Sequence, residues 1–209
     1  MQPSFSIENT YQNLLIAGID EAGRGPLAGP VVATCVILNR NDFPRGINDS
    51  KKLSKKLREE IFFELQKKSR FGIGIVDEKT IDKINILQAT KLAMLRAYCD
   101  LQQKYKIFPQ IILVDGNFIP FEKRDEISEL IAVIKGDQKS MSIAAASIIA
   151  KETRDQIMDD LHLKYPQFGF DKHAGYPTKF HVEKIREFGI CGFHRKSFEP
   201  IKSMLHASS

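Results

Sequence analysis

The sequence predicts one α/β unit: five strands in a parallel or mixed sheet, helices flanking it, and a small C-terminal helical lobe. Three observations carry that expectation. Five short apolar runs of strand length alternate with longer segments of helical period. Turns, with no repeat or low-complexity segment, separate them. The chain has 209 residues, enough for one good core and an appended lobe but too few for two ordinary domains. The main core is expected over residues 1–165 and the lobe over 166–209, the two packing as a single domain.

Residues 14–19 read as the first strand and the β-branched run Val31 to Leu38 as the second. Between them lies Asp20-Glu21-Ala22-Gly23-Arg24-Gly25-Pro26, two adjacent carboxylates joined to a glycine-rich turn. After a loop containing Pro44 and Gly46, Ser54 is the expected N-cap of a helix to about Lys68, with Leu57, Ile61 and Leu65 as its buried stripe. Residues 71–76 form a third strand. The acidic pair that follows it, Asp77-Glu78, lacks a glycine loop and reads as a helix cap. A core-packing helix is expected from about Asn85 to Lys104. Pro109 then gives way to a fourth strand, Ile111 to Val114, which ends at Asp115. Residues 131–135 read as the fifth strand, running into Asp137, and Ser140 as the cap of a helix over about 141–164. A final helix is expected over about 179–188.

Composition narrows the function classes. Hydrophobic residues make up 43% and charged residues 27%, the proportions of a globular protein, and the formal charge of +5 favours a polyanionic partner without identifying one. The three cysteines, Cys35, Cys99 and Cys191, show neither metal spacing nor a disulfide framework. No signal sequence and no membrane-length apolar run is visible, so a cytoplasmic protein without membrane contact is expected, and we expect a monomer.

The chemistry concentrates at strand ends. Asp20, Glu21, Asp115 and Asp137 each follow an apolar strand and precede a turn. For any one of them alone, capping or solvation is the simpler reading. Four together in one short chain point to convergence, and four converging carboxylates would repel one another unless divalent cations lay among them. An all-oxygen set suits magnesium or manganese. Two such ions about 4 Å apart serve in-line displacement at phosphorus without a serine or cysteine nucleophile. The glycines at 23 and 25 permit backbone N–H groups to face an anion or a sugar. The five histidines lack metal-pair spacing and read as packed or surface residues. Among the basic groups, Lys51 and Lys52 stand out because they precede their helix in a loop, while Arg195, Lys196 and Lys202 form a further group.

Taken together, the motifs Gly18-Ile19-Asp20-Glu21-Ala22-Gly23-Arg24-Gly25-Pro26, Asn48-Asp49-Ser50-Lys51-Lys52-Leu53, Val114-Asp115-Gly116-Asn117, Lys135-Gly136-Asp137, Ala145 to Lys151, Gly175-Tyr176-Pro177-Thr178 and His194 to Phe198 resemble the type 2 ribonucleases H, most closely the bacterial ribonuclease HII family. The resemblance covers about residues 14–202. It implies a ribonuclease H-like fold with a central five-stranded mixed sheet. It also implies a metal-dependent endonuclease that cuts RNA in RNA-DNA hybrids and on the 5′ side of single ribonucleotides in duplex DNA, leaving 3′-hydroxyl and 5′-phosphate ends. Ribonucleotide excision repair and RNA primer removal are the implied roles. By motif position, Asp20, Glu21, Asp115 and Asp137 match the catalytic acids that bind Mn2+ or Mg2+ in a two-ion site. Gly23, Arg24 and Gly25 match the loop that recognises the 2′-hydroxyl, and Tyr176 the tyrosine that stacks on the following sugar. Lys51, Ser147 and Lys151 are candidates for phosphate contact or site support.

One departure is visible: Ala174 stands where the family often has lysine before Gly-Tyr. The related ribonuclease HIII usually lacks the loop arginine and carries an extra N-terminal domain. Here Arg24 is present and a short leader precedes the first strand. Two readings from other classes stay open on residues alone. One is a hybrid-binding protein without catalysis. The other is a magnesium-dependent phosphatase whose glycine loop cradles one phosphate.

Overall fold

In the computed structural model, which describes residues 2–207, the backbone is built from five strands and six α-helices among those residues. Strands β1 (Ile16–Ala22) and β2 (Val31–Leu38) pair antiparallel across the glycine loop, and β3 (Ser69–Val76) pairs antiparallel with β2. Strands β4 (Ile111–Asp115) and β5 (Glu129–Val133) run parallel to β1 on its other side. The order is β3-β2-β1-β4-β5, a mixed sheet with β1 at its centre.

Alternation across the pleat divides the core into two layers. Val31, Ala33, Cys35 and Ile37 of β2 join Ala93, Ala97 and Leu101 of α2 (Glu78–Tyr105) on one face. Val36 and Leu38 point the other way, toward Ile61 and Leu65 of α1 (Lys55–Lys68) and Ala145 and Ile149 of α3 (Met141–Lys164). Because both faces are covered, all eight residues of β2 are buried, and its sequence is a continuous apolar run. The start of α3 lies directly on β1: a Cβ at Gly18 would overlap the backbone of Ser142 and Ile143. A third cluster joins Leu27, Ala28, Met158 and Leu161 to Phe168, Phe170, Ile185 of α5 (Lys179–Phe188) and Ile201 of α6 (Ile201–Ala207). The short α4 (Phe170–His173) lies between α3 and α5 in sequence. The lobe expected to reach residue 209 ends on Ser208 and Ser209, outside the described residues.

The expected caps are present. The side chains of Ser54, Asp77 and Ser140 accept hydrogen bonds from the amides of Leu57, Thr80 and Ile143. The helix expected to be final is followed by α6, and four boundaries or stripes differ from expectation. Strand β1 continues to Ala22, so Asp20 and Glu21 belong to the strand itself. Helix α2 starts at Glu78 and breaks at Asn85 (φ 64°), whose Oδ1 accepts from the amides of Leu87 and Gln88. The start expected at Asn85 is therefore a cap within the helix. Leu57 is 41% exposed, and the buried stripe of α1 is Arg58, Ile61, Phe62 and Leu65. Arg58 can be buried because it pairs with Glu152 and Asp155 of α3. Strand β5 ends at Val133, since Lys135 adopts a left-handed conformation that opens a 3₁₀ turn at Gly136–Gln138 and leaves Ile134 exposed. Among the described residues no helix is long and apolar enough to cross a membrane.

Candidate active site

The site forms where β1 and β4 end. Ile19 pairs with Val114 in parallel register, so the next residues along, Asp20 and Asp115, lie side by side at the strand tips. Asp20 is 5% exposed and accepts a hydrogen bond of 2.7 Å from the amide of Glu21. Asp115 Oδ1 accepts from the amide of Gly136 at 2.6 Å. That bond draws in the 3₁₀ turn bearing Asp137. Sheet register thus places two acids, and one carboxylate–amide bond brings the turn of the third beside them.

A cleft of about 240 Å³ is lined by Asp20, Glu21, Gly23, Arg24, Gly25, Lys51, Asp115, Asp137, Ser147, Lys151 and Tyr176, together with Ala22, Ser50 and Arg154. Every acid, loop residue and support candidate expected at the site therefore borders one cleft, whereas Lys52, which stood out with Lys51, does not line it. Among the described residues, no three His, Cys, Asp or Glu side chains close tightly enough to form a metal-holding group as they stand. The carboxylates flank the cleft rather than meeting at a point.

Burial and mutual repulsion set the electrostatics of these acids. Burial pushes the Asp20 carboxyl well above the usual carboxylate range, and the charges of Glu21, Asp115 and Asp137 push it the same way. Asp137 is raised by burial and by Asp115 and Asp49, with Lys51 opposing. Glu21 is raised by burial, with Arg24 opposing through a contact of 3.3 Å to Oε1. The second oxygen, Oε2 of Glu21, is buried and has no hydrogen-bond partner. An orphaned carboxylate oxygen beside three further acids is a donor set suited to a hard cation.

The cations and hydroxyls are not equivalent. The Lys51 ammonium is raised: burial works against its charge, and Asp20, Asp137 and Asp49 outweigh it. Lys151 pairs with Asp155 at 2.6 Å, and the Ser147 hydroxyl is bonded to that of Ser50 at 2.8 Å. Tyr176 is 44% exposed at the cleft mouth. It is tied to the glycine loop, because the Leu27 amide donates to the carbonyl of Gly175 at 2.8 Å.

Two arginines behind the loop escaped the sequence reading as site residues. Arg154 (1% exposed) donates from Nε to Pro30 O and from Nη2 to Ala28 O. Arg195 (0% exposed) donates to the carbonyls of Gly23, Arg24 and Gly29. Gly23 (φ 97°) must lack a side chain, since a Cβ would strike Arg154. A signal for Arg154 existed: it falls at the four-residue spacing of Ala146, Ala150 and Met158 on the buried face of α3.

A mixed α/β sheet that delivers acids and an arginine-glycine loop to one cleft defines a hydrolase of the ribonuclease H type. The family model for ribonuclease HII matches residues 17–201. The ribonuclease HII of Chlamydia pneumoniae is 52% identical over 192 residues, covering 91% of this chain and 86% of the relative. Among solved structures, ribonuclease H2 from Pyrococcus horikoshii OT3 superposes with a TM-score of 0.73 at 27% identity, covering 92% of this chain and 97% of that one. Bst-RNase HIII in complex with Mn2+ superposes with a TM-score of 0.74 at 20% identity, covering 100% of this chain and 74% of that one, which bears on the fold alone. The chain belongs to the ribonuclease HII family, whose members are endonuclease hydrolases. The phosphatase and non-catalytic readings are thereby set aside.

Proposed function

We infer that this enzyme hydrolyses the RNA strand of RNA-DNA hybrids and cuts on the 5′ side of single ribonucleotides in duplex DNA, leaving 3′-hydroxyl and 5′-phosphate ends. The observation that carries this reading is the sharing of one cleft by Asp20, Glu21, Asp115 and Asp137 with the loop Gly23-Arg24-Gly25. Chemistry and ribose recognition then act on adjacent atoms. Two divalent ions, Mg2+ or Mn2+, would supply an activated water and stabilise charge on the leaving oxygen. Asp20, Glu21, Asp115 and Asp137 would hold them, Glu21 through its orphaned Oε2.

The chain's own groups do the rest. Backbone donors of the glycine loop bind the 2′-hydroxyl, the group that separates RNA from DNA. Lys51, in the best position among the lysines, neutralises a backbone phosphate and offsets the acids around it. Tyr176, from the lobe of residues 166 onward, stacks on the sugar that follows. Ser147 and Lys151 support the site through Ser50 and Asp155. We assign the enzyme to the cytoplasm as a monomer acting in ribonucleotide and RNA-primer removal.

The test is cleavage of a labelled duplex carrying one embedded ribonucleotide, run with Mg2+, with Mn2+ and with chelator. Cutting on the 5′ side of the ribonucleotide, lost with chelator, is the expected result. An all-DNA duplex cut at the same rate, or cleavage that survives chelation, would overturn the reading.

A further inference from the structure

The sequence reading left His194 to Phe198 with no role in the site, and the fold puts its arginine directly behind the glycine loop. Arg195 is fully buried, yet among the described residues no ion pair holds it. Its guanidinium is satisfied by backbone carbonyls: Nη2 donates to Gly23 O at 2.6 Å and to Gly29 O at 2.8 Å, Nη1 to Arg24 O at 3.0 Å, and Nε to Gly29 O at 3.0 Å. Phe198 lies under the guanidinium at 5.0 Å. A second buried arginine, Arg154, takes the carbonyls of Ala28 and Pro30. Burying two like charges together is costly, and hydrophobic residues could fill the volume more favourably. What hydrophobic residues could not do is collect five carbonyls of one loop, those of Gly23, Arg24, Ala28, Gly29 and Pro30, on buried guanidinium groups.

We propose that Arg195 is a positioning residue for ribonucleotide selection: by fixing the carbonyls of Gly23 and Arg24 inward, it leaves the loop's amide donors turned to the cleft as a donor-only surface. A hydroxyl can accept from such a surface, whereas the C2′ methylene of a deoxyribose leaves its donors unpaired, and an unpaired buried donor is expensive. The tail is itself held to the loop. Residues 193–195 run antiparallel to 27–29, with the Gly29 amide donating to Phe193 O and the Arg195 amide to Leu27 O. Behind them, Asp82 accepts from the amides of Lys196 and Ser197. Lysine cannot replace the guanidinium, because one ammonium cannot reach three carbonyls in a fork.

This inference rests on the loop reading the 2′-hydroxyl, and the experiment separates the two. Binding to a duplex with one ribonucleotide and to the same all-DNA duplex is measured with Ca2+ replacing the activating ion, and kcat and KM are measured with Mg2+. The proteins are the parent, Arg195→Lys, Arg195→Gln, and Tyr98→Phe, a control that loses the hydroxyl contacts to Glu126 and Gln102 and does not line the cleft. Expected is a parent that prefers the ribonucleotide duplex, and Arg195→Lys with that preference collapsed toward one and kcat/KM lower by roughly 10²-fold, while Tyr98→Phe keeps the preference. Should Arg195→Gln fail to fold, Arg195→Lys, which retains the buried charge, carries the same readout. A parent without preference overturns the loop's role. A parent with preference, kept in Arg195→Lys or lost equally in Tyr98→Phe, overturns the role of Arg195.

Discussion

At the residue scale the cleft separates positions whose chemistry is needed from those whose shape is needed. Asp20 is the clearest chemical case. Its folded-state pKa is raised, so the protonated form is the stable one: its favourable contribution is present at low pH and lost as pH rises through the folded value. Above the ordinary carboxylate pKa and without metal, burial and the neighbouring charges therefore make Asp20 oppose folding. Asp20→Asn should abolish cleavage and, in chelator at pH 7, raise the melting temperature. A relief of about 1 kcal/mol corresponds to roughly 2–4 °C for a chain of this size. Thermal melts of both proteins in chelator check the sign, and an unchanged or lower midpoint would contradict the repulsion. Two glycines separate shape from fold. Gly23→Ala meets Arg154 at a positive φ and should cost stability as well as activity. At Gly25 an added Cβ would come to rest 3.6 Å from Tyr176 Cε1, an ordinary contact. Gly25→Ala should therefore melt like the parent yet bind the ribonucleotide duplex at least tenfold more weakly, since the methyl occupies space where the sugar must sit.

At the element scale, most of the fold was legible because the strands are largely apolar runs and α1, α2, α3 and α5 each follow a capping side chain, whereas α4, which has none, and α6 were not expected. The misses have definite causes. The apolar run Ile131 to Ile134 overshoots β5, because the left-handed turn at Lys135 ends the ladder before the hydrophobicity ends. Leu57 looked like core because its spacing fits, but Arg58 takes the buried position through carboxylates on α3, partners that lie about a hundred residues away in sequence. Glu8 is the same kind of miss: it is 1% exposed and accepts from Ser140 Oγ and the Ser142 amide, so a residue of the leader fixes the start of α3. The acids and the loop were legible because they sit at strand ends. The arginines behind them were not, because carbonyl-satisfied cations leave no charge pattern. The break in α2 is a further such case with a measurable consequence. Asn85 holds a positive φ and caps the second segment, and the first segment carries Asp82 to the tail behind Arg195. Asn85→Ala loses the cap and keeps the strained φ, which should cost about 1–2 kcal/mol in denaturant unfolding. Asn85→Gly relieves the φ and should cost less.

At the scale of the whole molecule, two sets of titrating groups act on stability in opposite senses. Asp20, Glu21 and Asp137, whose carboxyls are raised by burial, favour the folded state when protonated. The lobe histidines do the reverse. His181 and His194 meet at 3.0 Å between their Nε2 atoms. The Nδ1 of His181 faces the carbonyl of Tyr176, and the amide of Cys191 donates to Nδ1 of His194. One pattern satisfies every atom: His181 carries its proton on Nδ1 and His194 on Nε2, both rings neutral. Burial lowers both to about 4, and each ring's neighbour would repel a second charge. A depressed folded-state pKa gives stability that is present above the unfolded value near 6.5 and lost as pH falls toward 4, at about 1.4 kcal/mol per pH unit for each proton taken up. Because the ring of His181 is bonded to the backbone of Tyr176, acid should loosen the side of the cleft that carries this tyrosine before it unfolds the sheet. In denaturant unfolding of the metal-free protein between pH 7 and pH 5, the histidine pair pulls stability down and Asp20, Glu21 and Asp137 pull it up, so variants that remove one group at a time read each set. His194→Gln, which cannot titrate, should start less stable at pH 7 and lose less on acidification. Asp20→Asn, with one opposing carboxylate removed, should show the steeper fall. If His194→Gln instead followed the parent's slope, the acid sensitivity would belong to groups outside the histidine pair.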